Sequence, residues 1–253
     1  MKLGALPRDF SVKVPTFEAY LTNPKALPAF PSVVDRESKV SSWPMYCNDT
    51  VGDCTIAGML HSIGAMSTYA SGAEVLFSDT EALAVYSAIS GYNPDDPNSD
   101  VGCTLQQVCD YFEKTGAADT NGKVHKLAGY AEIGNYTNTT LLKQVLWTFG
   151  TVYVAVNLPD SAMDQFNAGQ PWVPVAGSPI DGGHCIVMQW NASDVIDGSS
   201  FITWGAEQRA NNAWIHEYLC EAVAIVSQDW IEANGDSPSG LDLAQLIADS
   251  KEV

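Results

Sequence analysis

One stretch limits the possible folds more than any other: Tyr46 to Tyr69, read as YCNDTVGDCTIAGMLHSIGAMSTY. A polar turn, Asn48 to Asp53, leads to Cys54. After it Ile56, Ala57, Met59, Leu60, Ile63 and Met66 recur at helical spacing. The pattern predicts a buried helix with Cys54 at or just inside its first turn. Unpaired backbone N–H groups and the positive end of the helix dipole favour a thiolate there, and the thiolate is the nucleophilic form. The plainer alternative is that Cys54 is a small buried hydrophobe, as a lone cysteine often is.

Composition narrows what such a helix can belong to. At 253 residues with 46% hydrophobic and 17% charged, the chain can bury a large core as one domain or two lobes. A net charge of −18 without basic patches argues against nucleic acid as a partner. No apolar run approaches the roughly 18 residues of a membrane span. Met1 to Phe10 has no apolar core of a secretory signal, so the expected location is cytoplasmic or particle-associated. Six cysteines with no C-x-x-C pair, and no H-x-x-x-H spacing, predict neither a disulfide scaffold nor a metal site, and no cofactor is expected.

Along the chain, Met1 to about Pro31 is proline-rich and reads as an extended arm, packed over the protein or gripping a neighbour. Helices are expected at Thr80 to Ser90, with Asp79 as cap, at about Thr104 to Lys114 and at Thr139 to Phe149. Strands are expected at Leu127 to Ile133, Thr151 to Val156, Trp172 to Val175, Cys185 to Trp190, Ser200 to Trp204 and Glu221 to Val226. Ser237 to Gly240 reads as a linker before an amphipathic helix, Leu241 to Ser250. Helices first and strands later predict an α+β protein of two lobes. The expected division is an arm at 1–30, a domain at 31–235 with a helical lobe to about 120 and a β-rich lobe from 121, and a tail at 236–253.

A cysteine nucleophile needs a base, most often histidine. His61 lies seven residues after Cys54, roughly 10 Å along the helix axis and out of reach. His125, between Lys123 and Lys126, reads as solvent-facing, and His216 as either core or surface. His184 follows Asp181-Gly182-Gly183 and is expected to start a strand, with the glycines allowing close backbone approach.

In this order the pieces resemble the papain-like cysteine peptidases, in the form found among divergent bacterial and phage proteins. The shared features are a cysteine opening a buried helix, Gly102-Cys103 before a later helix, the run Gly150-Thr-Val-Tyr-Val-Ala-Val156 followed by Phe166, the glycine-flanked His184, and Phe201-Ile-Thr-Trp-Gly205. The resemblance covers about Phe30 to Val226. It implies a papain-like two-lobed fold, a helical lobe beside a β-barrel-like one with the cleft between. It implies that Cys54 and His184 are catalytic and that Asn48, six residues before Cys54, serves the oxyanion hole. Three departures stand out. Ile202 occupies the place of the asparagine that orients the histidine, leaving Thr203, Asp194 or Asp197 to substitute. Asp53 precedes the nucleophile, where a carboxylate raises the thiol pKa unless it points away. The family's cysteine three residues before the nucleophile is Val51 here, while a Cys47–Cys103 bridge is among the pairings six cysteines allow.

Two functions follow as expectations. One is a cysteine peptidase or amidase acting on peptide, protein or peptidoglycan peptide. The other is an inactive papain-like structural or binding protein, for instance a phage virion component, with the arm and tail meeting assembly partners.

Overall fold

The apolar spacing after Cys54 becomes α1, Cys54–Ser71, buried from Cys54 through Thr68. Asp53 is its N-cap without a side-chain capping bond, and Gly72, at φ 75°, ends it in the left-handed conformation. The computed structural model describes residues 1–21, 39–189, 198–234 and 241–252. Two of the helices that pack against α1 come soon after it in the chain. The first is α2, Asp79–Ser90. Its cap is Ser78, which accepts from the Glu81 N–H, and not Asp79 as expected. The second is α3, Leu105–Lys114, opened by a reciprocal capping box between Thr104 and Gln107.

A short hairpin, β1 (Ala117–Ala118) and β2 (Val124–His125), precedes the main sheet. The sheet's strands are β3 (Leu127–Glu132), β4 (Val152–Pro159), β5 (Ile180–Gln189), β6 (Gly198–Thr203), β7 (Ala206–Asn211) and β8 (Leu219–Ser227). Between and after them come α4 (Thr139–Phe149), α5 (Asp160–Asn167), α6 (Asn212–Tyr218), α7 (Gln228–Asn234) and α8 (Leu243–Ser250). All pairings are antiparallel, in the order β3-β8-β4-β5-β6-β7. The outer strands β3 and β7 do not pair with each other, so the β-rich half is an open sheet and not the barrel-like lobe expected.

Both faces of the central strands are covered. Val152, Val154 and Val156 join a core with α4 and α6, while Tyr153, Ala155 and Cys185 join the core of α1. That double burial is why Thr151 to Val156 lacks the alternation of a half-exposed strand. Strand β5 begins at Ile180, which places His184 inside the strand and not at its start. Trp172 contributes only an isolated bridge to Ala210, in place of the strand expected.

Both described ends pack on the chain's own body. Arg8 bridges Glu132 at 2.7 Å, the Tyr20 hydroxyl donates to Asp249 at 2.9 Å, and Leu21 pairs with Leu241. The expected linker at 237–240 lies outside the described residues. All six cysteines are free, so the Cys47–Cys103 bridge is not formed. Among the described residues, no helix is long and apolar enough to cross a membrane.

Candidate active site

Cys54 opens α1, and its Sγ accepts a hydrogen bond from the backbone N–H of Cys185 at 3.4 Å. Cys185 follows His184 on β5, so thiol and imidazole stand on adjoining walls, one from helix and one from sheet. The His184 ring is fully buried, and its Nε2 lies 2.7 Å from the Thr203 hydroxyl at the end of β6. Its Nδ1 has no hydrogen-bond partner among the described residues, the Cys54 sulfur included. Trp204 stacks on the imidazole at 4.3 Å and 19°. Two successive left-handed residues, Trp204 at φ 45° and Gly205 at φ 70°, shape the turn that carries this indole.

Of the three candidates to stand in for the orienting residue, Thr203 is the one that meets the ring. Ile202 is buried in the sheet opposite Val187, and the group facing the imidazole is the next side chain, Thr203. The other two orienting candidates, Asp194 and Asp197, lie outside the described residues. Trp204 was not expected at the site, since sequence shows it only as half of a Trp-Gly pair.

Asn48 is buried, and its Nδ2 donates to the carbonyls of Val51 at 3.1 Å and Lys2 at 3.3 Å. The Trp204 indole N–H also donates to the Lys2 carbonyl, at 3.4 Å. Lys2 belongs to the N-terminal arm, which runs through the cleft bonded to both of its walls. The Lys2 N–H donates to the Asn48 carbonyl at 2.9 Å. The Gly4 and Ala5 N–H groups donate to the Gly183 carbonyl at 3.3 and 3.1 Å. Cys103 holds the other side, donating to the Gly4 carbonyl at 3.0 Å and accepting from Leu6 at 2.9 Å. Ala5 and Cys103 thereby form a parallel bridge. Glycines make the fit possible. A Cβ on Gly4 would overlap the carbonyl of Gly52, one on Gly183 the carbonyl of Ala5, and one on Gly102 the carbonyl of Gly4. The close approach expected at Gly183 is made to the chain's own arm.

Sealing the cleft sets its electrostatics. Burial pushes the Cys54 thiol up to about 12; the Cys185 and Gly4 N–H groups oppose this and the Asp53 carboxylate adds to it. Burial pulls His184 down to about 3. Thiol and imidazole are therefore both neutral in the closed state, and a neutral thiol is a poor nucleophile. Asp53 does not point away from the thiol into water. It is wholly buried, and burial carries it up to about 8, with Asp100 and Asp49 pushing the same way. Nearby Asn48 spends its Nδ2 on carbonyls, so neither Asp53 oxygen has a hydrogen bond among the described residues.

The remaining histidines stand elsewhere. His61 is buried, bonded through Nε2 to the Pro44 carbonyl at 2.8 Å, and lowered by burial to about 4. His125 is not solvent-facing. Strand alternation turns its ring inward from β2, between Asp229 at 2.5 Å and Asp119 at 3.3 Å. His216 is exposed on α6. Among the described residues, no cluster of His, Cys, Asp or Glu side chains could hold a metal ion.

No protein-family model matches the chain, and no curated protein matches it. Solved structures do. Xylellain, a cysteine protease from Xylella fastidiosa, is 12% identical over 88% of this chain and 95% of its own, with a TM-score of 0.66. The procathepsin B S9 of Trypanosoma congolense is 10% identical over 90% of this chain and 87% of its own, with a TM-score of 0.60. The bromelain protease of Ananas comosus is 13% identical over 78% of this chain and 99% of its own, with a TM-score of 0.54. At such identities the likeness is one of fold.

Proposed function

We propose that the chain, which carries a divergent papain-like fold, is a thiol peptidase or amidase held closed by its own N-terminal arm. One observation carries this reading. A supported imidazole, and a helix-terminal thiol bonded to the backbone of the residue after it, line a cleft whose present occupant is extended peptide backbone. With the arm displaced, water reaches both groups and the desolvation that keeps them neutral is relieved. Cys54 then attacks a substrate carbonyl as the thiolate, and His184 passes its proton to the leaving amine. Water, deprotonated by His184, hydrolyses the thioester. Asn48 Nδ2 and the Cys54 N–H receive the oxyanion. That Asn48 already holds the Lys2 carbonyl supports its reach to such an oxygen.

The test is a full-length Gly4→Val variant, since any side chain at this position collides with Gly52. Cys54 alkylation by iodoacetamide at neutral pH should rise about tenfold or more over the parent, and peptide hydrolysis should appear. Adding His184→Ala should remove both gains. An accessible Cys54 that reacts like a model thiol at every pH, indifferent to His184, would favour the second reading, a binding protein built on an inert fold. The closed, neutral site is what favours that alternative.

A further inference from the structure

The cleft continues past Gly183 into a cavity of about 310 Å³ between the arm and the sheet, with Glu221 and Ala155 on its wall. Strand register fixes where this cavity lies. Ala155 of β4 pairs with Cys185 of β5 on one side and with Glu221 of β8 on the other. The three form one row across the sheet, on the face turned to α1, with Cys185 touching the Cys54 sulfur. At about 4.8 Å per strand, Glu221 sits about 10 Å from Cys185, within reach of a long side chain anchored over the sulfur. Ala155, the residue between them, is small enough to leave the space open.

Glu221 is 7% exposed, and among the described residues no hydrogen bond or ion pair reaches its carboxylate. Such a group is costly unless a cation meets it. The arm brings one close. Arg8 lines the same cavity, is bridged to Glu132 at 2.7 Å, and its charge opposes the rise that burial and Glu132 impose on Glu221, which lies at about 7. The arm thus holds, on the wall of the cavity that Glu221 also lines, a guanidinium that bridges to Glu132 and whose charge acts on Glu221.

We propose that this cavity is a specificity pocket that takes an arginine or lysine side chain of the peptide substrate, with Glu221 as its principal counter-charge and Glu132 as the second. Arg8 serves the pocket while the arm is in place. The assignment rests on the peptidase reading, so the test separates the two. Full-length Gly4→Val protein is given a peptide library in which arginine or norleucine occupies each position in turn, and cleavage is mapped by mass spectrometry. Arginine should be preferred about tenfold or more at one position near the cut bond, and Glu221→Gln should erase the preference while norleucine peptides are still cut. Cleavage indifferent to arginine, or favouring norleucine at every position, overturns the pocket and leaves the peptidase standing.

A second measurement needs no chemistry. Binding of Nα-acetyl-arginine methylamide to the Gly4→Val, Cys54→Ala protein is followed by NMR. Arginine binding that Glu221→Gln or Ala155→Leu abolishes supports the pocket even if no peptide is cut, in which case only the peptidase reading falls. No binding and no arginine preference overturn the pocket.

Discussion

Asp53 sits between the polar turn and the nucleophile with a folded-state pKa near 8, far above the ordinary 3.8. The folded protein holds a proton there that the unfolded chain releases. Its contribution to stability is therefore complete below about pH 4 and is lost as pH rises through 8. Asp53→Asn keeps the shape without the ionisation. Its melting temperature should match the parent's near pH 4 and exceed it by several degrees at pH 9, measured by calorimetry. Equal curves at both pH values would show that the carboxyl is not held neutral. Thr203 belongs to the same scale. Its hydroxyl is the one hydrogen-bond partner of the His184 ring among the described residues. In the open Gly4→Val protein, Thr203→Val should cut kcat/KM on the order of tenfold or more and Thr203→Ser should restore most of it, with KM little changed. Cys54 and His184 could be singled out from sequence because local patterns mark them, helical spacing and a glycine pair, while Asn48 is singled out only by the family resemblance. Thr203 could be named only as one of three candidates and Trp204 not at all, since a one-residue slip in strand register exchanges which side chain meets the ring.

Elements were legible where burial wrote a period or a run into the sequence. Helices α1 and α4 and strand β4 are apolar enough to be read directly. Strand β7, AEQRAN, is mostly polar and is held by pairing with β6, while α6 and α7 are seven residues each, too short for periodicity to declare them. The arm is the harder case. Its prolines predict extended backbone, but not where that backbone goes. Its destination depends on unpaired groups at Gly183 and Cys103, which meet only in three dimensions. A single Gly4 among ordinary residues gives no local sign that it must pass over Gly52. The arm's placement adds to the burial of the Cys54 thiol and the His184 ring, which the core around Cys54 and the Trp204 indole also cover.

At the scale of the whole molecule, one polar cluster ties the helical side to the sheet side, far from the cleft. Ser67, about 20 Å along α1 from Cys54, donates to Asp229 of α7 at 2.7 Å. Lys123 donates to the same carboxylate at 2.7 Å, and His125 lies between it and Asp119. Burial alone would raise Asp229, but the hydrogen bonds from Lys123, His125 and Ser67 outweigh it and hold the group down to about 2. Because the folded pKa is depressed, the stabilisation is present above about pH 4 and disappears as pH falls toward 2. Asp229→Asn should therefore cost about 2 kcal/mol at pH 6, by urea denaturation, with the difference from the parent closing as pH approaches 2. A pH-independent loss would mean that the side chain matters for packing and not for charge. Alkylation of Cys54 in the open Gly4→Val protein should be unchanged by Asp229→Asn in the folded state, since sites this far apart with no shared partner act additively. Acid would then loosen the junction between the two halves only as pH falls from about 4 toward 2. The same fold keeps this polar cluster apart from the thiol and imidazole of the cleft.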